Sequence, residues 1–246
     1  MARDHSHSNI LRKNQNTKKP QKILLYVEGR NTEPSYFDLL KRSNCTQIPV
    51  TVRGHGIGMC VNFVNEAVGK YSSLPAKEKA KYTQKWLVFD NDGHEDFAEG
   101  VRLARRQGFR VAFSNMCIEY WFMLHFYNHD GTTIPLKGNS HSKAQIDEIN
   151  KFIKRYNRSN HTNIKLYDEE SKKVEEDFFD LMLAIDPTTH NHRIVDACQR
   201  AMTIHQAKKR NGAEFLESVT TMYELMEDLG TVKMDNDGNF LLNNKL

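Results

Sequence analysis

The stretch ILLYVEGRNTEP, Ile23 to Pro34, decides how the chain folds. Residues 22–27, KILLYV, are short, apolar and closed by Glu28-Gly29, the pattern of a buried strand. Pro34 suits a first helical turn, and Tyr36, Phe37, Leu39 and Leu40 give a helix from about Glu33 its apolar face. A buried strand running into an amphipathic helix is the first half of an α/β unit. The junction also holds two carboxylates, Glu28 and Glu33. An acid in a first helical turn compensates the helix dipole by about 0.3–1 kcal/mol, which is one account of Glu33. Glu28, at the strand end before Gly29, has little such structural value.

The unit repeats outward from there. IPVTVR (48–53) reads as a second strand, followed by the glycine loop GHGIGMC and a helical stretch with Val61, Val64 and Val68 on one side. SSLPAKEKAKY is polar and reads as a surface connection. KWLVFD (85–90) is a third strand, and residues 95–107 form an amphipathic helix through Phe97, Val101 and Leu103. GFRVAFS (108–114) is a fourth strand, and CIEYWFMLHFYNHDG reads as one nearly all-apolar helix stopped at Asp130-Gly131. Such alternation predicts an α/β fold with a mostly parallel sheet flanked by helices. From 132 to 246 the patterns are helical and strand patterns are scarce. The expected organisation is therefore a disordered basic tail over 1–21, an α/β core over 22–131 and a helical lobe over 132–246, packed on or extending that core.

A chain of 246 residues, 39% hydrophobic and 27% charged, buries a core without staples. No run of about 18 apolar residues exists, and the start lacks the apolar segment of a secretory signal, so neither a membrane span nor export is expected. Cys45, Cys60, Cys117 and Cys198 form no CxxC pair, which argues against a zinc ribbon or a dithiol redox motif and for free thiols in a reducing cytoplasm. The net charge is +4, yet residues 1–22 alone hold six Lys/Arg against Asp4. The body is thus nearly neutral. The tail is either a solvated terminus or a non-specific contact to nucleic-acid phosphates.

In open parallel sheets ligands sit at the carboxyl ends of the strands. Acids recur there: Glu28 after the first strand, Asp90 and Asp92 after the third, and Glu119 after the fourth. Asp-x-Asp on an extended segment points both side chains the same way, and hard oxygen donors suit Mg²⁺. Capping is the alternative for Asp92, which precedes Glu95 by three positions in a capping-box pattern, and first-turn compensation is the alternative for Glu119.

Three of these stretches, VEGRNTEPSYFDLL, WLVFDNDGH and FSNMCIEYWFMLHF, together with AIDPTTHNHRIVDA, resemble the RloB-like family, a TOPRIM-related group. The resemblance runs from about residue 22 to about 200, and its specificity lies in the combination and order of the motifs. It implies a TOPRIM-like sheet with a C-terminal helical extension. It implies a metal-dependent phosphodiester nuclease acting on DNA or RNA, tRNA included, as effector of an anti-phage defence system beside an AAA-type ATPase. Glu28 matches the glutamate that serves as general acid/base or metal ligand, Glu33 the second glutamate, and Asp90 and Asp92 the metal ligands. Glu119 and His125 match the remaining polar positions. The sequence departs from the family at Asn115-Met116, where Asn-Pro is expected.

The expected reaction uses Mg²⁺ or Mn²⁺ held by Glu28, Asp90 and Asp92, with Glu33 or Glu119 holding a second ion. Substrate-binding candidates are Arg30, Arg53, His55 and His125, with Arg102 and Arg105 as further cations. Each histidine has a plain alternative: an exposed loop residue for His55 and a hydrogen-bonded core residue for His125. The loop RGHGIG is neither GxGxxG nor a P-loop, and a tight turn accounts for it. A non-catalytic subunit that binds nucleic acid or the ATPase is the competing reading, and the oligomeric state stays open.

Overall fold

The computed structural model describes residues 22–46, 50–54, 59–216 and 218–243. The expected tail over 1–21 and His55 lie outside the described residues, as does the side chain of Arg53. Apolar runs become strands, and the amphipathic stretches between them become the helices that cover both faces. β1 (Ile23–Val27), β2 (Val50–Gly54), β3 (Gln84–Asp90) and β4 (Arg110–Asn115) alternate with α1 (Thr32–Arg42), α2 (Cys60–Ser72) and α4 (Phe97–Arg106). A short helix, α3 (Ala76–Lys79), lies within the polar stretch read as a surface connection.

The sheet order is β2-β1-β3-β4-β5, parallel through β4, with β5 (Val219–Thr220) added antiparallel to β4. Register aligns Val27 with Val88 and Asp90 with Ser114, so the strand ends carrying the acids finish level with one another. All five β1 residues have zero exposure. Side chains alternate across the strand, so Ile23, Leu25 and Val27 face one core while Leu24 and Tyr26 face another. Burial on both faces explains why β1 reads as a continuous apolar run.

The first core is built with α1 and with α5 (Ile118–Met123), α6 (Lys143–Asn160), α7 (Glu176–Leu183), α8 (Arg193–Arg210) and α9 (Met222–Asp228). The second lies under α2 and α4. Asp96, at the start of α4, accepts the backbone N–H groups of Cys60 (3.3 Å) and Val61 (2.9 Å), so one acid anchors the neighbouring helix. The capping box that was the alternative account of Asp92 does not form, because α4 starts only at Phe97.

Three readings of the sequence need correction. The apolar helix expected over residues 117–131 ends at Met123. Its continuation tightens into turns, with His125 N–H bonded to the Phe122 carbonyl at 3.1 Å, while Arg200 on α8 takes the Leu124 carbonyl at 2.7 Å. The stretch AEFLESVTTMYELMEDLG is helical only over α9, because Val219 and Thr220 pair with Asn115 and Ser114 instead. β6 (Val232–Met234) and β7 (Phe240–Leu242) form a hairpin where no strand was expected. Among the described residues no helix is long and apolar enough to cross a membrane.

Candidate active site

Where β1 ends, the chain turns through Glu28 and Gly29 into α1. The backbone N–H of Asp90 donates to Glu28 Oε2 at 3.3 Å, tying the first strand end to the third. Glu33, in the first turn of α1, folds back so that Gly29 N–H donates to its Oε1 at 3.2 Å. A Cβ at position 29 would stand 1.8 Å from Glu33 Oε2, so only glycine admits this return. Glu33 is 4% exposed, more enclosed than an acid that only compensates a helix dipole needs to be.

Asp90 closes β3, and Ile118 N–H donates to its Oδ2 at 2.8 Å. The carboxylate thereby satisfies an open donor in the first turn of α5. Asp92 is exposed, in a left-handed conformation (φ +45°), and its N–H reaches the Met116 carbonyl at 3.0 Å. The Asn115–Met116 peptide in that junction is cis. Glu119, one residue into α5, is 2% exposed and accepts the Tyr167 hydroxyl at 3.1 Å.

Glu28, Glu33, Asp90, Asp92 and Glu119 line one cavity of about 360 Å³, together with Arg30, His94, Glu170 and Lys172. Two cations therefore face six acids. Burial pushes the Glu28 carboxyl up to about 8, with Glu33, Asp92 and Asp96 adding to the rise and the Asp90 N–H opposing it. Burial likewise lifts Glu33 to about 7, helped by Glu119 and Asp92 and opposed by the Gly29 N–H. Asp90 is raised well above the carboxylate range by burial and then by Glu33, Asp92, Glu119 and Glu28. Burial alone would lower Lys172, but Glu119, Asp92 and Asp90 outweigh it and hold the ammonium above its ordinary value.

Crowded carboxylates of this kind attract a positive ion. Their hard oxygens suit Mg²⁺ or Mn²⁺, which keep several waters and take few protein ligands. Among the described residues, no three His, Cys, Asp or Glu side chains stand in a metal-binding arrangement. The donor chemistry fits a divalent cation, and the side chains share a pocket without forming a ligand shell.

Of the substrate-binding candidates, Arg30 lines the pocket and also an adjoining cavity of about 680 Å³. His125 does not line the pocket. It has zero exposure, its Nδ1 lies 3.0 Å from the Trp121 carbonyl, and burial lowers it to about 3. A neutral core histidine bonded one turn back along its own chain does not reach a substrate, so that assignment is corrected. Arg102 and Arg105 pack over the Phe215 ring, 5.3 and 6.0 Å from its centroid, and do not line the pocket.

Sequence reasoning missed Lys172 and Tyr167. Both belong to an irregular segment between α6 and α7, laid across the start of α1. Thr32 Oγ1 donates to the Lys172 carbonyl at 2.7 Å, Asn31 Nδ2 to the Ser171 carbonyl at 3.1 Å, and Val174 N–H to Ser35 Oγ at 3.0 Å. The run DEESKKVEE looks like solvated charge, and only its Asp and Ser hint at turns.

The family described as RloB-like protein matches residues 23–229 of the chain. No curated protein and no solved structure matches it.

Proposed function

The chain belongs to the RloB-like family, and from that premise we propose that it is a metal-dependent endonuclease of TOPRIM type. Its substrate is the phosphodiester backbone of DNA or RNA, tRNA among the candidates. We assign it the role of effector in a cytoplasmic anti-phage system with an AAA-type ATPase partner. The observation that carries this reading is the convergence of Glu28, Glu33, Asp90, Asp92 and Glu119, from three strand ends, on one cavity. A purely structural use of five acids in one pocket runs against their mutual repulsion.

Glu28, Asp90 and Asp92 would hold the divalent ion. When bound, such an ion polarises the scissile phosphate and lowers the pKa of an attacking water. Asp90 is fixed by Ile118 N–H, and Glu28 by Asp90 N–H, so the backbone orients these two carboxylates before any ligand arrives. Glu33 and Glu119 stand beside them to carry a proton or to hold a second ion. Lys172 and Arg30 supply the positive charge that a phosphodiester needs at the same mouth.

The competing reading is a non-catalytic subunit that binds nucleic acid or the ATPase. It is favoured by the lack of a closed ligand shell among the described residues. Incubating the purified chain with Mg²⁺ or Mn²⁺ and a mixture of DNA, tRNA and nucleotides, with and without the ATPase, separates the two. Cleavage that disappears in Asp90→Ala supports the enzyme. Nucleic-acid binding without cleavage in any combination supports the binding subunit.

A further inference from the structure

A second cavity, of about 390 Å³, lies between the C-terminal half of α6 and the loop joining α7 to α8. The segment AIDPTTHNHRIVDA covers that loop and the first turn of α8, and the carboxylate pocket does not use it. Most of its polar groups have structural employment. Thr189 Oγ1 and Asn191 Nδ2 donate to Asp196 at 2.5 and 3.0 Å, and His192 Nδ1 meets the Leu183 carbonyl at 2.6 Å.

Arg193 is the exception. Its side chain is 2% exposed and lines the cavity. Buried charges are ordinarily paired and fully hydrogen-bonded. Here the guanidinium makes one long bond, from Nη1 to the Leu181 carbonyl at 3.4 Å. Asp186 faces Nε at 3.6 Å, an ion-pair distance beyond hydrogen-bond reach, and Nε has no hydrogen-bond partner. The charge rests on Asp186 and on the Phe152 and Tyr156 rings beneath it, while most of its five N–H donors stay unused at the cavity wall.

The other walls define what would use it. Phe152 and Tyr156, one turn apart on α6, stack at 21° with centroids 6.2 Å apart, and the Arg193 guanidinium carbon lies 5.4 and 5.8 Å from them. Ile185, 57% exposed, presents an apolar side. Arg155, exposed, adds a second guanidinium, which gives one N–H to the Tyr127 hydroxyl at 2.7 Å and keeps its other donors, and Asp186 adds an acceptor. Flat aromatic surface suits a planar ring, and two guanidinium forks suit phosphate better than a lone carboxylate. The volume lies near the lower end of the roughly 300–1,000 Å³ typical of small-ligand sites.

We propose that this cavity binds a mononucleotide unit, its base against Tyr156 and Ile185 and its phosphate on Arg193 and Arg155. The unit is a free nucleotide or the 5′-phosphorylated end of a strand. The site uses none of the carboxylates proposed for catalysis, so its test is run with EDTA and repeated in Asp90→Asn, where binding is expected to persist.

Calorimetric titration of the full chain with nucleoside 5′-monophosphates is expected to give saturable binding. Adenosine and inorganic phosphate are expected to bind about tenfold more weakly, each lacking one half of the contacts. Arg155→Ala and Tyr156→Ala are each expected to weaken the monophosphate about tenfold, with melting curves checking that each variant is folded at the titration temperature. Because Arg193 is buried, its replacement tests folding as well as binding, and these two variants carry the test. A 5′-phosphorylated trinucleotide that binds more tightly than the monophosphate identifies the strand end, and the reverse identifies the free nucleotide. Absence of saturable binding at on the order of 1 mM ligand, or binding unchanged in both variants, overturns the proposal.

Discussion

Asp90 and Asp196 are both enclosed aspartates beside an α-helix, and the chain treats them oppositely. Asp196, 7% exposed on α8, receives Thr189 Oγ1, Asn191 Nδ2 and, at 3.9 Å, Arg200 Nη2. Asp90 receives one backbone N–H, and its other neighbours include Glu33, Asp92, Glu119 and Glu28. Around Asp196 the protein supplies the positive partners that burial of a charge demands. Around Asp90 it supplies more negative charge. An acid satisfied from within needs no further partner, whereas a cluster short of cations leaves its charge unbalanced.

The widest separation between the two should come from paired substitutions. Asp90→Asn keeps the volume and an acceptor for Ile118 N–H while removing one of the repelling charges. Cleavage is expected to fall by roughly 10²–10³-fold or more, the scale for losing one electrostatic partner of a transition state, with the melting temperature held or raised. Asp196→Ala strands two donors and an arginine, so it is expected to cost about 1–3 kcal/mol of stability and to lower activity only in proportion to unfolded protein. Denaturation curves and cleavage rates of both variants check this. Equal loss of stability in the two would erase the distinction.

The comparison also has a pH signature. Glu28 moves from 4.5 to about 8 and Glu33 to about 7, so the folded state holds protons that the unfolded chain has released. Their stabilisation is complete below about 4.5 and is lost as pH rises through about 7–8. Each tenfold difference in proton affinity between the folded and unfolded chain is worth about 1.4 kcal/mol. Without divalent ions, the chain is therefore expected to lose a few kcal/mol between about pH 6 and pH 9. Urea unfolding in EDTA at the two pH values measures it. Glu28→Gln should flatten the slope, and added Mg²⁺ should restore stability at the higher pH. A slope that is the same in Glu28→Gln would show that Glu28 is not its source.

Gly29→Ala sharpens the geometric side. The new Cβ would overlap the Glu33 carboxylate, so that side chain must leave its fold-back position. Because the carboxylate is the end of a flexible side chain, the expected cost is that of the lost Gly29 N–H bond, about 0.5–1.5 kcal/mol, with cleavage impaired. A variant of unchanged stability and activity would mean that Glu33 need not contact the Gly29 N–H.

Much of this arrangement was legible beforehand, for a physical reason. β1 and β3 are buried on both faces, so their sequences are unbroken apolar runs, and in a parallel sheet such runs end on the same side. Glu28, Asp90, Asp92 and Glu119 could therefore be put at one end of the sheet without coordinates. Elements set by distant contacts were not legible. β5 is two residues long, too short for any alternation, and exists because Ser114 and Asn115 offer an open edge. The end of α5 depends on Arg200, 76 residues away from Leu124. Lys172 sits in a run without period, and only its contacts with Thr32 and Tyr167 bring it over the carboxylates.

That last contact gives the mildest test. Tyr167 donates to Glu119 at 3.1 Å and approaches the Lys172 carbonyl at 3.4 Å, so its hydroxyl links a pocket acid to the segment bearing the pocket's lysine. Burial and the nearby Glu119 hold the phenol well above its usual range, which keeps it a donor at any working pH. Tyr167→Phe preserves the ring against Phe122 and Phe178 and removes only the hydroxyl. Because Glu119 is 2% exposed, losing its donor should cost about 1 kcal/mol of stability. If Glu119 acts in the reaction, kcat should drop severalfold while KM holds, since Arg30 and Lys172 still line the pocket. A Glu119→Gln, Tyr167→Phe double variant no worse than Glu119→Gln alone would show that Tyr167 acts through Glu119. Additive losses would assign it a separate role in holding the Lys172 segment.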